Sequence, residues 1–356
     1  MAGITTPRSA AYDALLSTTL DRYWKSGALE DAVFNSNPTF AAFKEKGRIQ
    51  MADGGYQIAV NLMYGQNTTA GPYSRYEVLD VAPQDGITQA FYPWAQYAVS
   101  VSIDGLSEFQ NSGAGKIVDL VSEKVDQATM TLGELLNQHL LDRENVTLAT
   151  GVTSNSGKAI IGLPLFIHVA PTTSHVIGGI TCDTDAPTNA WWGNQVYTPA
   201  ADSFIGLTLG MARIYDLCTK GSGGAPDLII SDMLGYEIYE AAMDDKKRYL
   251  KYDNTTAGFP AVYYKTAKMF WDAHMPDAYT GVNWDSSSFT ESTMYFINSK
   301  FMKLVVGKGR NFKPTGFQKP EDQDARVSNI LLYGQLVCSN RRKQGVLHSI
   351  EQTIAS

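Results

Sequence analysis

The stretch from about Gly115 to Asn145 constrains this chain most. Ile117, Val121, Val125, Ala128, Leu132, Leu135, Leu136, His139 and Leu140 recur at helical spacing, while Asp119, Glu123, Lys124, Asp126, Glu134 and Asn137 fill much of the rest. Ser112, Gly113 and Gly115 offer a capping region in front, and no proline interrupts the run. About 29 residues rising ~1.5 Å each make a rod of roughly 43 Å. The apolar stripe does not sustain a strict heptad, so the rod reads as a mount for a sheet and a second domain rather than as a coiled coil.

Residues 1–48 read as an arm. Short helical pieces carry Tyr12, Leu15, Leu16, Tyr23, Trp24, Val33 and Phe34, then Asn37-Pro38 breaks the run and Phe40 and Phe43 follow. Such pieces are too short to fold alone. Their aromatics are expected to dock on another surface, in the same chain or in a neighbour. Residues 49–103 change period. Ile49, Met51, Tyr56, Ile58, Val60 and Leu62 alternate, as do Tyr97, Val99, Val101 and Ile103, which predicts two strands joined by a long polar tip, GQNTTAGPYSRYEVLDVAPQDG. At that length the tip is either ordered against a neighbour or an ordinary mobile loop.

Beyond the rod, the Gly/Ser/Thr-rich stretch 151–162 marks a domain entry. A helix over 202–218, a strand at 227–231, a second helix over 232–249 with Ser231 or Asp232 as its cap, and strands at 260–264, 294–297 and 302–306 describe a mixed α/β domain. The tail predicts a strand pair, 328–337 and 345–350, around the basic turn Asn340-Arg341-Arg342-Lys343. It is expected to join the sheet begun before the rod.

Composition narrows the function. Charged residues are 18% of the chain, against about 25% in ordinary soluble domains. Aromatics are 11%, which suits a surface covered by partners. A net charge of −7 argues against a general nucleic-acid binder without excluding proximity to DNA. Cys182, Cys218 and Cys338 form no CxxC pair and point to a reducing compartment. No signal pattern and no apolar run of membrane-spanning length is present, so a soluble intracellular product and no membrane partner are expected.

The residues give a reaction centre little to work with. His139, His168, His175, His274 and His348 are scattered and none has metal-ligand spacing. Gly221-Ser222-Gly223-Gly224 lacks the Lys-Ser/Thr of a phosphate cradle and reads as a helix-ending linker. Glu321-Asp322-Gln323-Asp324 lacks the glycine and terminal glutamate of a calcium loop. Trp191 and Trp192 could stack a flat ligand, or pack structurally. Arg341-Arg342-Lys343 could meet DNA phosphates or acidic residues of a neighbouring subunit. No catalytic, cofactor or metal site is expected.

The order of these parts resembles the major capsid proteins of tailed bacteriophages, the HK97 fold. The words that carry the resemblance are Ile177-Gly178-Gly179-Ile180, followed by Trp192 and Asn194-Gln195, and Met294-Tyr295-Phe296-Ile297-Asn298-Ser299-Lys300-Phe301-Met302-Lys303-Leu304. The chain departs from the pattern at Gly193, where such proteins often have arginine, and in a polar insertion at 182–188. The resemblance implies an α+β fold with an N-terminal arm (1–48), an extended E-loop (49–103), a peripheral domain with a long spine helix (104–150), an axial domain (151–320) and returning peripheral strands (321–356). It implies a self-assembling icosahedral shell of hexamers and pentamers in a virion built in the host cytoplasm. Packaged double-stranded DNA would lie on its inner face, bound non-specifically, with portal, scaffold or decoration proteins as further partners. Candidate intersubunit residues are Tyr12, Trp24 and Phe34 on the arm and Tyr64, Tyr73, Arg75, Tyr76, Glu77 and Leu79 on the loop. Some such proteins lock their shells through a Lys–Asn isopeptide bond from the E-loop. Here the span from Ile49 to Gly115 holds no lysine and Arg75 is its only basic residue, so non-covalent locking is expected. The alternatives are an encapsulin-like compartment and a cytosolic α/β enzyme using residues 151–320.

Overall fold

A computed structural model describes residues 38–105, 114–141, 158–171, 175–182, 190–199, 204–243, 252–254, 260–275, 291–321 and 323–351. The expectations for Tyr12, Trp24 and Phe34, for the Ser112–Gly113 cap and for the rod beyond Leu141 lie outside these residues.

The rod is one helix. After a short helix α1 (Pro38–Glu45), α2 runs from Ala114 to Leu141, 28 residues. Val125, Ala128, Leu132, Leu136 and Leu140 are buried along one stripe, while Gln127, Met130, Thr131, Glu134 and Gln138 are exposed. Thr129 and Thr131 return their hydroxyls to the carbonyls of Val125 and Gln127, which satisfies them without leaving the helix.

The stripe shares a core with a five-stranded sheet built from β1 (Ile49–Ala52), β4 (Ala95–Asp104), β13 (Met302–Gly307), β14 (Lys313–Pro314) and β15 (Ala325–Cys338). In β4, Ala95, Tyr97, Val101 and Ile103 are buried, and Gln96, Ala98, Ser100 and Ser102 face out. Tyr97 Oη lies 3.0 Å from His139 Nδ1 on α2 and accepts from the Ile160 amide. Burial pushes this phenol up to about 12.

A second sheet has seven strands in the order β7 (Gln195–Tyr197), β16 (Gly345–Glu351), β12 (Glu291–Ile297), β8 (Leu228–Ser231), β11 (Ala267–Trp271), β10 (Pro260–Tyr264) and β9 (Tyr252–Asn254). Its central strands are buried on both faces. Ile229, Met294, Phe296 and Leu347 pack with Leu207, Met211 and Ile214 of α3 (Phe204–Thr219) and with Tyr236 and Tyr239 of α4 (Met233–Ala242). Leu228, Ile230, Tyr295 and Val346 join the core of the first sheet. Asp232 caps α4, accepting from the Gly235 amide. None of the described helices is long and apolar enough to cross a membrane.

Three expectations are corrected. The strand at 57–63 does not end a pair closed by 97–103: β2 (Gln57–Met63) pairs with β3 (Ile87–Pro93), and β4 pairs over ten positions with β15. The word at 294–304, similar to a late strand pair of such proteins, does not pair with itself: β12 stays in the seven-stranded sheet while β13 lies between β1 and β15. The tail is not a strand pair either: β15 joins the sheet of β1 and β4 as expected, but β16 lies between β12 and β7 in the other sheet. In both places the chain changes sheet. A reciprocal amide pair holds the crossings together: the Asn298 amide donates to Gln344 Oε1 at 2.8 Å and Gln344 Nε2 donates to the Asn298 carbonyl at 3.1 Å. Ser299 adds its amide and hydroxyl to the Asp227 carboxylate.

The end of the expected arm belongs to this body. Phe40 and Phe43 are buried in the core with α2, and Lys268 Nζ reaches Glu45 at 3.1 Å. Beside them, buried Asp272 accepts from Thr39 Oγ1 of α1 at 2.6 Å, from Asn137 Nδ2 of α2 at 3.0 Å and from the His274 amide at 3.0 Å. His274 Nε2 lies 3.6 Å from Glu134. Burial pushes the Asp272 carboxyl up, but the hydrogen bonds from His274, Thr39 and Asn137 outweigh it and hold the group below its ordinary 3.8. The bond to Asp272 raises His274 above 6.5, against burial and aided by the charges of Asp272 and Glu134. A raised histidine stabilises the fold below its unfolded pKa, and this is lost as pH climbs through the folded value. A lowered carboxyl stabilises above its unfolded pKa, and this is lost as pH falls through the folded one. The clasp is therefore strongest between about pH 4 and 6.5. Thermal melting should show a loss of stability as pH rises from 6 to 8, and the His274→Gln variant should show a shallower slope. An identical slope in both would remove the clasp from the pH response.

Candidate intersubunit surface

The β2–β3 ribbon stands on the two-sheet body, and its two faces differ. Ile58, Val60 and Leu62, with Ala90 and Tyr92 opposite, turn toward the core. Met63, Ile87 and Phe91 are exposed on the other face. A two-stranded ribbon is marginal by itself, so its root must be held. The Tyr92 hydroxyl donates to the Cys338 carbonyl at 2.9 Å, Gln335 Nε2 to the Pro93 carbonyl at 2.9 Å, and Trp94 Nε1 to the Gly55 carbonyl at 2.9 Å. Burial pushes the Tyr92 phenol far up.

The Gly-Gly word forms the seat of this root. β5 (His175–Ile177) and β6 (Ile180–Cys182) pair through Gly178 and Gly179, both at positive φ, +63° and +79°. The Phe91 amide donates to the Gly178 carbonyl at 3.0 Å, and a Cβ at Gly178 would stand 2.8 Å from the Ala90 methyl, so only glycine serves the turn and the approach together. Trp192 is buried under the hairpin, with Nε1 donating to the Ile177 carbonyl at 3.1 Å. Asn194 clasps the backbone of His168, accepting from its amide and donating to its carbonyl. Trp191 is half-buried and stacks on Tyr64 at the outer end of β2, ring centroids 5.2 Å apart. Both tryptophans thus pack within the chain.

The basic turn has been drawn into this seat. Only Arg342 is exposed. Arg341 donates to the carbonyls of Phe166 and Trp192, at 2.8 and 3.1 Å, to Asn194 Oδ1 at 3.4 Å and to Cys182 Sγ. Gly193 is buried where the resemblance leads one to expect arginine, and the guanidinium beside it is that of Arg341. Lys343 Nζ donates to the carbonyls of Thr219, Lys220 and Gly221 at the end of α3, each at 3.2 Å. The expectation of an outward basic patch therefore fails at two of its three residues. A run of charges fixes no direction for each side chain, and the alternation appears only when the chain crosses between sheets. All three cysteines are free and buried, and burial pushes Cys218 and Cys338 up to about 12.

Past Tyr64 the tip is built of local turns. Asn67 Oδ1 accepts from the Thr69 amide, Glu77 Oε2 from the Ser74 amide, and Asp80 Oδ1 from the Ala82 amide. These turns display apolar side chains to solvent: Tyr73 is 71% exposed, Tyr76 98% and Leu79 58%, with Val78 and Val81 beside them. Arg75 and Glu77 are exposed as well. Tyr64, by contrast, is engaged with its own chain.

No protein-family model and no curated protein sequence matches the chain. Solved structures do. A capsid chain of cyanophage A-1(L) superposes with a TM-score of 0.54 at 12% identity, over 87% of this chain and 92% of that one. The fold is that of the HK97-like shell proteins. A native GTA particle capsid chain gives 0.52 at 8% identity, over 86% and 89%, and the SrpI encapsulin of Synechococcus elongatus gives 0.50 at 10%, over 86% of both.

Proposed function

We propose that this chain is a major capsid protein, the repeating subunit of an icosahedral shell that encloses the double-stranded DNA of a tailed phage. The observation that carries the reading is an apolar tip displayed on a ribbon whose root is bolted to an HK97-like body. Contiguous exposed apolar side chains at this height are a docking feature rather than a solvated loop. The tip lies across a neighbouring subunit with Tyr73, Tyr76 and Leu79 as anchors, and with Arg75 and Glu77 in intersubunit ion pairs. Tyr64 sets the angle of the ribbon from inside its own chain. Tyr12, Trp24 and Phe34 of the arm dock on an adjacent subunit. The work is done by interfaces, with no reaction centre. An encapsulin-like compartment is the second reading, favoured by the SrpI superposition, and the contents of native particles separate the two.

Truncating an aromatic anchor at an interface costs roughly 2 kcal/mol or more, whereas exposed positions shift fold stability by only about 0.5 kcal/mol. The triple variant Tyr73→Ser, Tyr76→Ser, Leu79→Ser should melt like the parent and yield no closed particles. Normal particles from it would remove the tip from assembly. Because the loop carries no lysine, parent particles boiled in detergent and reductant should run as one band near 38.9 kDa. A covalent ladder would contradict non-covalent locking.

A further inference from the structure

We propose that the outward face of the five-stranded sheet, opposite α2, is the surface that meets the phosphate backbone of duplex DNA, a proposal that rests on the shell reading. The first observation is charge. Residues 292–320 hold six of the chain's 29 basic residues and none of its 36 acidic ones. In a chain of net charge −7 that is a strong local reversal. The second is register. Paired residues on neighbouring strands share a face. Ala98 pairs with Leu331 and Leu331 with Lys313, so these three form one row across β4, β15 and β14. Ser100 and Asn329 form the next, and Thr315 completes it, donating its amide to the Asn329 carbonyl at 2.9 Å and accepting the Asn329 amide on its hydroxyl at 3.1 Å. On the other side of the Lys313 row, Arg310 accepts the Tyr333 amide on its carbonyl and lays its guanidinium over the Tyr333 ring, 5.3 Å from the centroid.

The result is a face on which Ala98, Ser100, Thr315 and Asn329 are exposed around half-buried Leu331 and Tyr333, with exposed Arg310 and Lys313 along one half. Arginine, lysine, serine, threonine and asparagine are the side chains that contact phosphates without reading sequence. Stacking on Tyr333 holds the guanidinium extended along the face. The neighbouring Lys308 and Lys319 pair with Asp53 and Asp324, each at 3.2 Å, and Lys303 lies further along the sheet, opposite Val337, which leaves Arg310 and Lys313 as the cations beside the Ala98–Leu331 row. The opposite half ends in Asp104 and Asp324 and is unsuited to an anion, which confines the polyanion to the Arg310–Lys313 side.

The full-length protein should bind a fluorescein-labelled 30-base-pair duplex weakly, equally for unrelated sequences, and with affinity falling as salt rises. Each phosphate contact contributes about 0.9 to the slope of log affinity against log salt. Arg310→Ala/Lys313→Ala should therefore lower that slope by nearly 2, and Arg213→Ala/Lys220→Ala, which removes the same charge from exposed positions at the other sheet, should leave it unchanged. An unchanged slope in the first variant, an equal drop in the second, or no DNA binding by the parent overturns the proposal. Electron microscopy of the same preparations decides the shell reading separately. Closed shells with an unaltered slope sink only the DNA face, and an absence of shells sinks the capsid reading and with it the role of this face, whatever the slope.

Discussion

Arg341→Ala is expected to abolish a cooperative native state at 37 °C. The side chain is 0% exposed and ties together the segments that seat the β2–β3 ribbon: the single turn Leu163–Phe166, the turn at Ala190–Trp192, Asn194, and the end of β6 at Cys182. Truncation takes the guanidinium from the buried carbonyls of Phe166 and Trp192 and leaves them beside a void, while Asn194 Oδ1 keeps the His168 amide. An orphaned buried polar group costs about 1–3 kcal/mol, and a large-to-small truncation in a packed core adds roughly 2–5 kcal/mol. The sum approaches the ~5–15 kcal/mol that holds an ordinary domain together. Arg341→Lys should recover little, because an ammonium does not reproduce the planar fork. Burial keeps the Cys182 thiol above its ordinary value even though Arg341 pulls it down, so the guanidinium meets a thiol and carbonyl dipoles rather than a thiolate. Urea unfolding reads the result. A midpoint within error of the parent would mean that the seat holds without its guanidinium.

Leu132→Asp is expected to leave the chain insoluble. Leu132 is 0% exposed on the buried stripe of α2, in one core with Phe40, Tyr97 and Leu136. A carboxylate there is stripped of water with no cation designed to meet it, a cost of several kcal/mol even after the group neutralises itself. Leu132→Ala, which only opens a cavity, should stay soluble and lose about 2–5 kcal/mol. Parent-like melting of the aspartate variant would contradict the packing of α2 on the sheet.

What could be read from the chain follows from the range of each interaction. The long helix α2 was legible as a helix up to Leu141 because its stripe is local, and α3, β8 and the Asp232 cap were legible for the same reason. Strand partners were not. Period two marks 57–63 and 97–103 as strands, yet the first closes on 87–93 and the second on 325–334, hundreds of residues away. Hairpin-like spacing at 297–302 and 338–345 hid two changes of sheet, because a short polar connection looks alike whether it folds back or crosses over. At the surface, exposed tyrosines at the loop tip could be named from composition and length. That Tyr64 turns inward to Trp191 depends on a residue more than a hundred positions downstream.

Whether the protein closes into a shell is visible by electron microscopy of the purified protein. Closed icosahedral particles of uniform diameter, eluting in the megadalton range on gel filtration, are the predicted result. A homogeneous monomer or small oligomer, with no particles or rings across the salt and pH range that supports the folded chain, would contradict it.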